Sequence, residues 1–291
     1  MLIHRYVDAV RYTDLDAYGH VNNAVHLRYW HEAAFNASRA AGFDLAAWRA
    51  RNLTWVIRET EIDYHKPLNY PGTFTIETWI SQRGSSWFKR QYVARNAAGE
   101  VVTEGWSLWA CLTASEGRPA RLPVDVVAAF CDAEVAQLAP TDRPRFPPPP
   151  PPAAVIFRQP RAVDFRDTDT VGHVNNATYV SYIGECAWAV SAHFGWDDAR
   201  LRATGAGILA RRHHIVYDSE IRFGDLLEIQ TYGFDRRRVQ ATRHFHMQTL
   251  DGRSVARCNT VYVWVDLETG RPARWPEAYM RDLAPNLSPA G

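Results

Sequence analysis

Asp14, Asp16, Gly19, His20, Asn22 and Asn23 stand in one short stretch, Asp14-Leu15-Asp16-Ala17-Tyr18-Gly19-His20-Val21-Asn22-Asn23. These residue types point to proton transfer beside an anion-binding backbone. Carboxylates and an imidazole exchange protons with a reacting group. The glycine permits a tight turn and a close backbone approach. The periodic apolar segment that begins at Asn23 predicts a helix. The first N–H groups of a helix lack intrahelical partners and carry positive potential. Such a terminus suits an oxyanion. With no Ser or Cys nucleophile beside the carboxylates, the pattern suggests direct attack by water or by the carboxylate itself.

The stretch recurs as Asp167-Thr168-Asp169-Thr170-Val171-Gly172-His173-Val174-Asn175-Asn176. The displacement of 153 positions from Asp14 to Asp167 also relates Gly42 to Gly195, Tyr64 to Tyr217, Thr78 to Thr231 and Gly99 to Gly252. It maps Gly117-Arg118-Pro119-Ala120-Arg121 onto Gly270-Arg271-Pro272-Ala273-Arg274. A register held without a gap from Asp14 to Arg121 identifies a duplicated domain, and the period is far too long for a solenoid. The expected division is a first domain at 1–140, a proline-rich linker at 141–154 and a second domain at 155–291. Pro147 to Pro152 cannot donate backbone hydrogen bonds and favour polyproline II, a stiff spacer of roughly 19 Å.

Each copy predicts the same elements. A strand, Ile3 to Arg11 or Val155 to Phe165, precedes the Asp-rich loop. A helix follows, about Asn23 to Ala41 and Asn176 to His193, with Val25, Tyr29, Ala33, Ala37 and Ala40 near one face. Gly42 and Gly195 fall where a left-handed residue ends a helix. Strands then dominate: Thr73 to Ile80 and Asp225 to Phe234, Trp87 to Arg95 and Val239 to Thr249, Val101 to Leu112 and Ser254 to Val265. Asp251-Gly252 is a hairpin signal, with Ala98-Gly99 in its place in the first copy. One long helix followed by antiparallel strands is an α+β pattern, a helix that a curved sheet can wrap.

Composition narrows the class. The 291 residues suffice for two domains, and 46% hydrophobic content supplies a core. A net charge of +1 gives no pull toward nucleic acid or an anionic membrane. Only Lys66 and Lys89 are lysines, and the arginine- and alanine-rich composition suggests a GC-rich bacterial source. Cys111, Cys131, Cys186 and Cys258 form no Cys-x-x-Cys and lie at no zinc-ligand spacing, which suits a reducing compartment. No charged segment followed by an apolar one opens the chain, and no apolar run reaches about 18 residues. The expectation is a cytoplasmic protein without metal or cofactor.

The Asp-rich loop resembles the active-site loop of the hotdog thioesterases, notably the 4-hydroxybenzoyl-CoA thioesterase-like group. Its His-Val-Asn-Asn ending is similar to the fatty acyl-ACP thioesterases, which are double hotdogs. The resemblance spans nearly the whole chain in two copies. It implies two fused hotdog domains forming a pseudo-dimer that hydrolyses acyl-CoA or acyl-ACP. It places catalysis on Asp169 with His173, on Asp16 with His20 in the first copy, and on Glu220 of Tyr217-Asp218-Ser219-Glu220, expected on the long strand after the helix. Gly172, Asn175 and Asn176, with Gly19, Asn22 and Asn23, would shape the substrate site, the N–H of Asn176 facing the thioester carbonyl. The chain departs from that pattern at Val171 and Tyr18, where the acyl-ACP enzymes carry Asn, and at Ile221, where they often carry Cys. Pro67 stands opposite Glu220 in the first copy, so the better-equipped site is expected in the second.

Plainer roles compete. Asp14 and Asp167 read first as loop braces, and the paired asparagines as side-chain caps. Glu32 and Glu185 read as buried hydrogen-bonding residues within the helices, and Cys186 as a packed small residue. Arg211-Arg212-His213-His214 and Arg236-Arg237-Arg238 read as solvated faces, with docking of CoA phosphates or an acidic carrier as the sharper alternative. The eleven tryptophans are mostly core, some of them candidates for lining an acyl tunnel. Two other functions remain in play, a hotdog enoyl-thioester hydratase and a non-catalytic acyl-thioester sensor. The hydratase's usual Asp-x-Asn-Pro-x-His spacing is absent, and a sensor need not keep Asp, Gly and His together twice. Further self-association is left open.

Overall fold

The computed structural model describes residues 2–137 and 145–289. It separates into two compact units, Met1–Arg145 and Phe146–Gly291. The first contains β1 (His4–Ala9), α1 (Asn23–Ala40), α2 (Leu45–Ala50), β2 (Leu53–Tyr64), β3 (Thr73–Arg83), β4 (Trp87–Asn96), β5 (Val101–Thr113), α3 (Val124–Phe130) and α4 (Ala133–Gln137). The second repeats most of them as β6 (Phe157–Ala162), α5 (Asn176–His193), α6 (Asp198–Ala203), β7 (Ala206–Tyr217), β8 (Leu226–Phe234), β9 (Gln240–Thr249), β10 (Ser254–Asp266) and α7 (Glu277–Asp282). Of the expected linker, residues 141–144 lie outside the described residues. The rest of the proline run rests on the second unit: the Tyr232 hydroxyl donates to the Pro150 carbonyl at 2.7 Å, and the Phe146 ring lies 4.8 Å from that of His214.

Within the first unit the strands run β1-β3-β4-β5-β2, and within the second β6-β8-β9-β10-β7, every neighbouring pair antiparallel. The alternation expected of half-buried strands is visible in β3 and β4. Phe74, Ile76, Thr78 and Ile80 are buried on β3, as are Phe88, Arg90, Tyr92 and Ala94 on β4. The long helix lies against this face. Tyr29 stacks on Phe74 with centroids 4.4 Å apart, and Trp30 on Tyr92 at 4.5 Å. These ring pairs join helix to strands remote in sequence and contribute to the apolar burial between them. The helical stripe is broader than the expected face: Leu27, Trp30 and Ala34 are buried beside Tyr29, Ala33 and Ala37, whereas Ala40 is exposed.

Gly42 and Gly195 take φ of +86° and +82° just past their helices, the left-handed conformation expected there. Several features differ from expectation. β2 and β7 lack a clean alternation, and β2 carries a bulge between Ile57 and Glu59. The short helices α2, α3, α4, α6 and α7 have too few turns to show a period. Glu32 and Glu185 are exposed rather than buried, because they fall on the outer face of their helices. Arg161 pairs with Glu185 at 2.5 Å across the surface.

Three histidines are enclosed with little or no compensating charge. Burial pushes His26 and His31 down to about 4 and His213 to about 3, so all three are neutral in the folded protein. A base whose folded value lies below its unfolded value of about 6.5 gives stability that is complete above 6.5 and lost as pH falls toward the folded value. We expect the melting temperature to fall steadily between pH 6.5 and 4, with each histidine removing on the order of 2 kcal/mol. His26→Phe should flatten the decline measured by circular dichroism. An unchanged slope would show that carboxylates alone govern it.

Candidate active site

The same scaffold holds both Asp-rich loops. Asp14 and Asp167 brace them. The Oδ2 atom of Asp167 accepts the Tyr182 hydroxyl of α5 at 2.6 Å and the Asp164 N–H at 3.1 Å, while its carbonyl accepts the Asn175 N–H at 2.9 Å. Asp14 is held alike by the Tyr29 hydroxyl and by the Arg11 N–H at 3.0 Å, and its carbonyl accepts the Asn22 N–H at 2.9 Å. Burial, then the neighbouring carboxylate, raises the pKa of both tyrosines, so each stays a hydrogen-bond donor.

From this anchor the chain turns back on itself. The N–H of Asp169 donates to the His173 carbonyl at 2.8 Å and that of Gly172 to the Asp169 carbonyl at 3.0 Å, with Gly172 at φ +83°. Asp16, His20 and Gly19 repeat the turn at 2.8 and 3.0 Å, with Gly19 at +79°. A Cβ at either glycine would be strained by the positive φ, although open space surrounds it. One oxygen of each second aspartate is used inside the turn: Oδ1 of Asp169 accepts the Val171 N–H at 2.9 Å, and Oδ1 of Asp16 that of Tyr18 at 2.8 Å. The turn is closed here by the backbone N–H groups of Val171 and Tyr18, so it forms without the Asn side chains of the acyl-ACP pattern. Each Oδ2 has no partner among the described residues. Asp169 is exposed and Asp16 half-buried.

The helix begins directly after the turn. Asn22 and Asn175 are its caps, their Oδ1 atoms accepting from Ala24 and Ala177 at 2.9 and 3.0 Å. Asn23 and Asn176 are the first helical residues, and their carbonyls accept the hydroxyls of Tyr64 and Tyr217 at 3.0 and 3.2 Å. With Ala24 capped and the Val25 N–H bonded to the Asn22 carbonyl, the first N–H of α1 has no partner among the described residues. The loop therefore sets a carboxylate and a helix N-terminus on one short, braced piece of backbone.

The copies diverge beside it. Nε2 of His173 lies 3.0 Å from Oε2 of Glu220, and Arg222 holds Oε1 of the same carboxylate at 2.9 Å. The Arg222 guanidinium also lies 3.0 Å from His173 Nε2. One nitrogen cannot both donate to Glu220 and accept from Arg222. The arrangement with Nε2–H donating to Glu220 satisfies all three side chains. Glu220 lies in the loop after β7 rather than on the strand, because β7 ends at Tyr217. The backbone bends there, and Arg253 holds the bend through the Glu220 carbonyl at 2.9 Å and Ser219 Oγ at 2.7 Å. The first copy has Pro67, Asn69 and Glu100 where the second has Glu220, Arg222 and Arg253, and Glu100 pairs with Lys66 instead. His20 is bridged to Asn69 through the backbone. Arg222 and Arg253 escape a motif search because they lie far from His173 in sequence. The repeat offers one signal, that both replace non-basic residues of the first copy.

The remaining candidates resolve simply. Burial pushes the Cys186 thiol up to about 12, far from a thiolate at neutral pH. All four cysteines are free and buried. Arg237 pairs with Asp235 at 3.2 Å, and His213 is buried, so neither basic run is uniformly a solvated face. Trp48, Trp55 and Trp109 line a cavity of about 50 Å³ within the first unit. Among the described residues no three His, Cys, Asp or Glu side chains are grouped to hold a metal ion, and no helix is long and apolar enough to cross a membrane.

A family model described as the thioesterase-like superfamily matches residues 10–130 and again 163–283. The chain belongs to that superfamily. Both matches carry one Asp-rich loop and its helix, in the register of the internal repeat. The acyl-CoA thioester hydrolase YbgC of Escherichia coli is 30% identical over 122 residues, covering 42% of this chain and 90% of that protein. A chloroplastic acyl-carrier-protein hydrolase of Cuphea viscosissima is 23% identical over 139 residues, covering 46% of this chain but 34% of its own length, so the match spans about a third of that relative. Among solved structures, an acyl-ACP thioesterase from Bacteroides thetaiotaomicron superposes with a TM-score of 0.68 at 18% identity, covering 89% of this chain and 97% of that one. The 12:0-ACP thioesterase of Umbellularia californica gives 0.70 at 19%, covering 90% and 94%. At such identities the likeness establishes the fold, two fused hotdog domains.

The brace itself is testable. Tyr182→Phe removes a hydroxyl and leaves the Asp167 carboxylate buried with one backbone partner and Arg161 at 3.8 Å. The expected cost is about 1–3 kcal/mol of unfolding free energy. A double-mutant cycle with Asp167→Asn should show the two changes to be non-additive. Additive losses in urea denaturation would mean that the pair does not act as a unit.

Proposed function

We propose that this protein hydrolyses acyl thioesters carried on coenzyme A or acyl carrier protein. The observation that carries the reading is the second loop, which sets a carboxylate with one uncommitted oxygen beside a helix N-terminus within a member of the thioesterase-like superfamily. In this reading Asp169 accepts a proton from a water molecule as that water attacks the thioester carbonyl carbon. The carbonyl oxygen becomes an oxyanion held by backbone N–H at the helix start, the Asn176 position. Collapse of the intermediate breaks the C–S bond, the thiolate takes up a proton, and a carboxylic acid and a thiol leave. His173, oriented by Glu220, supplies a second proton-transfer group, and Gly172 and Asn175 keep the turn and the helix cap in place. The first copy offers Asp16, His20, Gly19, Asn22 and Asn23 in the same arrangement.

The unequal surroundings of the two loops favour unequal roles. Only the second has the Glu220–Arg222–Arg253 cluster, so we assign most of the turnover to Asp169 and shaping of the acyl pocket chiefly to the first copy. We take 1–140 and 155–291 as the two hotdog domains, joined through 141–154. Four free buried cysteines and the arginine- and alanine-rich composition support a bacterial cytoplasmic setting. The acyl-carrier-protein hydrolases among the relatives support a place in fatty acid metabolism.

The test is thiol release from a panel of acyl-CoA and acyl-ACP substrates by the purified protein. Asp169→Asn should lower kcat by about 10²- to 10⁴-fold while the protein stays folded. Asp16→Asn should cost far less, and Glu220→Gln should shift the pH profile with a smaller loss. Near wild-type turnover by folded Asp169→Asn protein would overturn the assigned chemistry. Equal halving by Asp16→Asn and Asp169→Asn would mean two independent sites. Hydrated thioester without free thiol would instead identify a hydratase, and binding without turnover a sensor.

A further inference from the structure

Arg90 stands on β4 between Phe88 and Tyr92 in the inward phase of the strand, and only 7% of it is exposed. It lines the cavity of the first unit with Trp48, Trp55, Phe88, Trp109 and Phe130. A buried guanidinium is normally matched by a carboxylate, because an uncompensated charge in an apolar site is costly. Arg90 has no carboxylate within reach among the described residues. It makes one long hydrogen bond, to Thr78 Oγ1 at 3.3 Å, and its charge lies 5.8 Å from the Phe130 ring. Burial lowers its pKa.

The other polar groups in the cavity deepen the imbalance. The indole N–H of Trp55 is buried and has no acceptor among the described residues. Ser38 Oγ already accepts from Trp48 Nε1 at 3.1 Å and donates to the Phe43 carbonyl, and Trp109 Nε1 donates to the Tyr92 hydroxyl at 3.0 Å. What remains uncommitted around the cavity is therefore donor capacity and positive charge. The second copy is the internal control. Its equivalent, Arg243, is just as buried, but Asn286 Oδ1 caps it at 2.6 Å. The first copy has Ala133 in that place. Arg243 also lines a cavity, with Ile208 in place of Trp55, and there the buried Tyr262 hydroxyl and Trp275 N–H lack partners among the described residues, so the amide cap on the guanidinium is what separates the two copies.

We infer that the aromatic cavity of the first unit binds the carboxylate end of an acyl group, with Arg90 and the Trp55 N–H as its acceptors' partners and the surrounding rings holding the methylenes. The preferred substrates are then acyl thioesters whose chain ends in a carboxylate rather than a methyl group. This rests on the thioesterase reading for the word substrate, but the binding itself does not. A planar guanidinium suits a carboxylate through two parallel hydrogen bonds, which a neutral chain end cannot make.

The experiment uses the full-length protein and two probe series of matched chain length. These are non-hydrolysable thioether analogues of ω-carboxyacyl-CoA and of the ω-methyl acyl-CoA. Binding is read by quenching of tryptophan fluorescence, and thiol release from the corresponding thioesters is measured separately. The ω-carboxy analogue of the best length should bind about 10²-fold more tightly than its ω-methyl counterpart. Arg90→Met, similar in volume, should abolish that preference without lowering the melting temperature. Trp55→Phe should weaken the ω-carboxy analogue several-fold, and serves if Arg90→Met fails to fold. Arg243→Met should leave the preference intact. Equal binding of the two series, or a preference that survives both Arg90→Met and Trp55→Phe, overturns the inference. Arg90-dependent binding with no thiol released from any thioester would uphold the pocket and sink the hydrolytic reading. Hydrolysis of ω-methyl substrates with no role for Arg90 would do the reverse.

Discussion

A carboxylate that accepts a tyrosine hydroxyl and a backbone N–H at once anchors each unit's loop. Asp167 with Tyr182 and Asp14 with Tyr29 tie the loop to the middle of the long helix, whose own start lies only a few residues further on. The chain between must turn back sharply, which Gly172 and Gly19 allow at positive φ. The second aspartate and the helix N-terminus are thereby held on the same few residues. Burial keeps the tyrosine neutral and so keeps it a donor. The strength of this arrangement depends on the sheet, because Tyr29 is stacked on Phe74 of β3 and the Tyr182 ring lies against the Arg161 guanidinium of β6. Loop geometry thus follows from core packing rather than from the loop sequence alone.

Duplication preserved that scaffold and released what surrounds it. The backbone turn, the cap and the brace recur with nearly the same distances. The polar groups around them do not. The second unit gained a histidine–glutamate–arginine cluster where the first keeps proline, asparagine and a surface lysine pair. The interior arginines diverged in the opposite sense: both line cavities, but Arg243 is capped by an amide and Arg90 is not. The scaffold tolerates both because neither touches the brace.

Much of the fold was legible because its signals are local or periodic. The constant register from Asp14 to Arg121 marked two copies, and Asn23 and Asn176 were read as helix starts that the structure places at the same residues. Gly42 and Gly195 marked the helix ends for a local steric reason. The less regular elements were harder. A bulge disrupts the two-residue period of β2, and helices of five to seven residues have too few turns to show one. Glu32 and Glu185 were misjudged because helical phase, not residue type, decides which side of a helix faces the core.

The sequence by itself determined the duplicated α+β architecture, the Asp-rich loops and the asymmetry at Glu220 and Pro67, all of which depend on order along the chain. Only the tertiary structure decided what those residues meet. It brought Glu220 and Arg222 to His173 across nearly fifty residues, and it left Arg90 enclosed by aromatic rings without a counter-ion among the described residues. The reason is physical. Hydrogen bonds and charge pairs act over a few ångströms in space, and burial sets how strongly they act. Neither proximity nor burial is carried by a residue's identity or its spacing until the sheet and helix close around it.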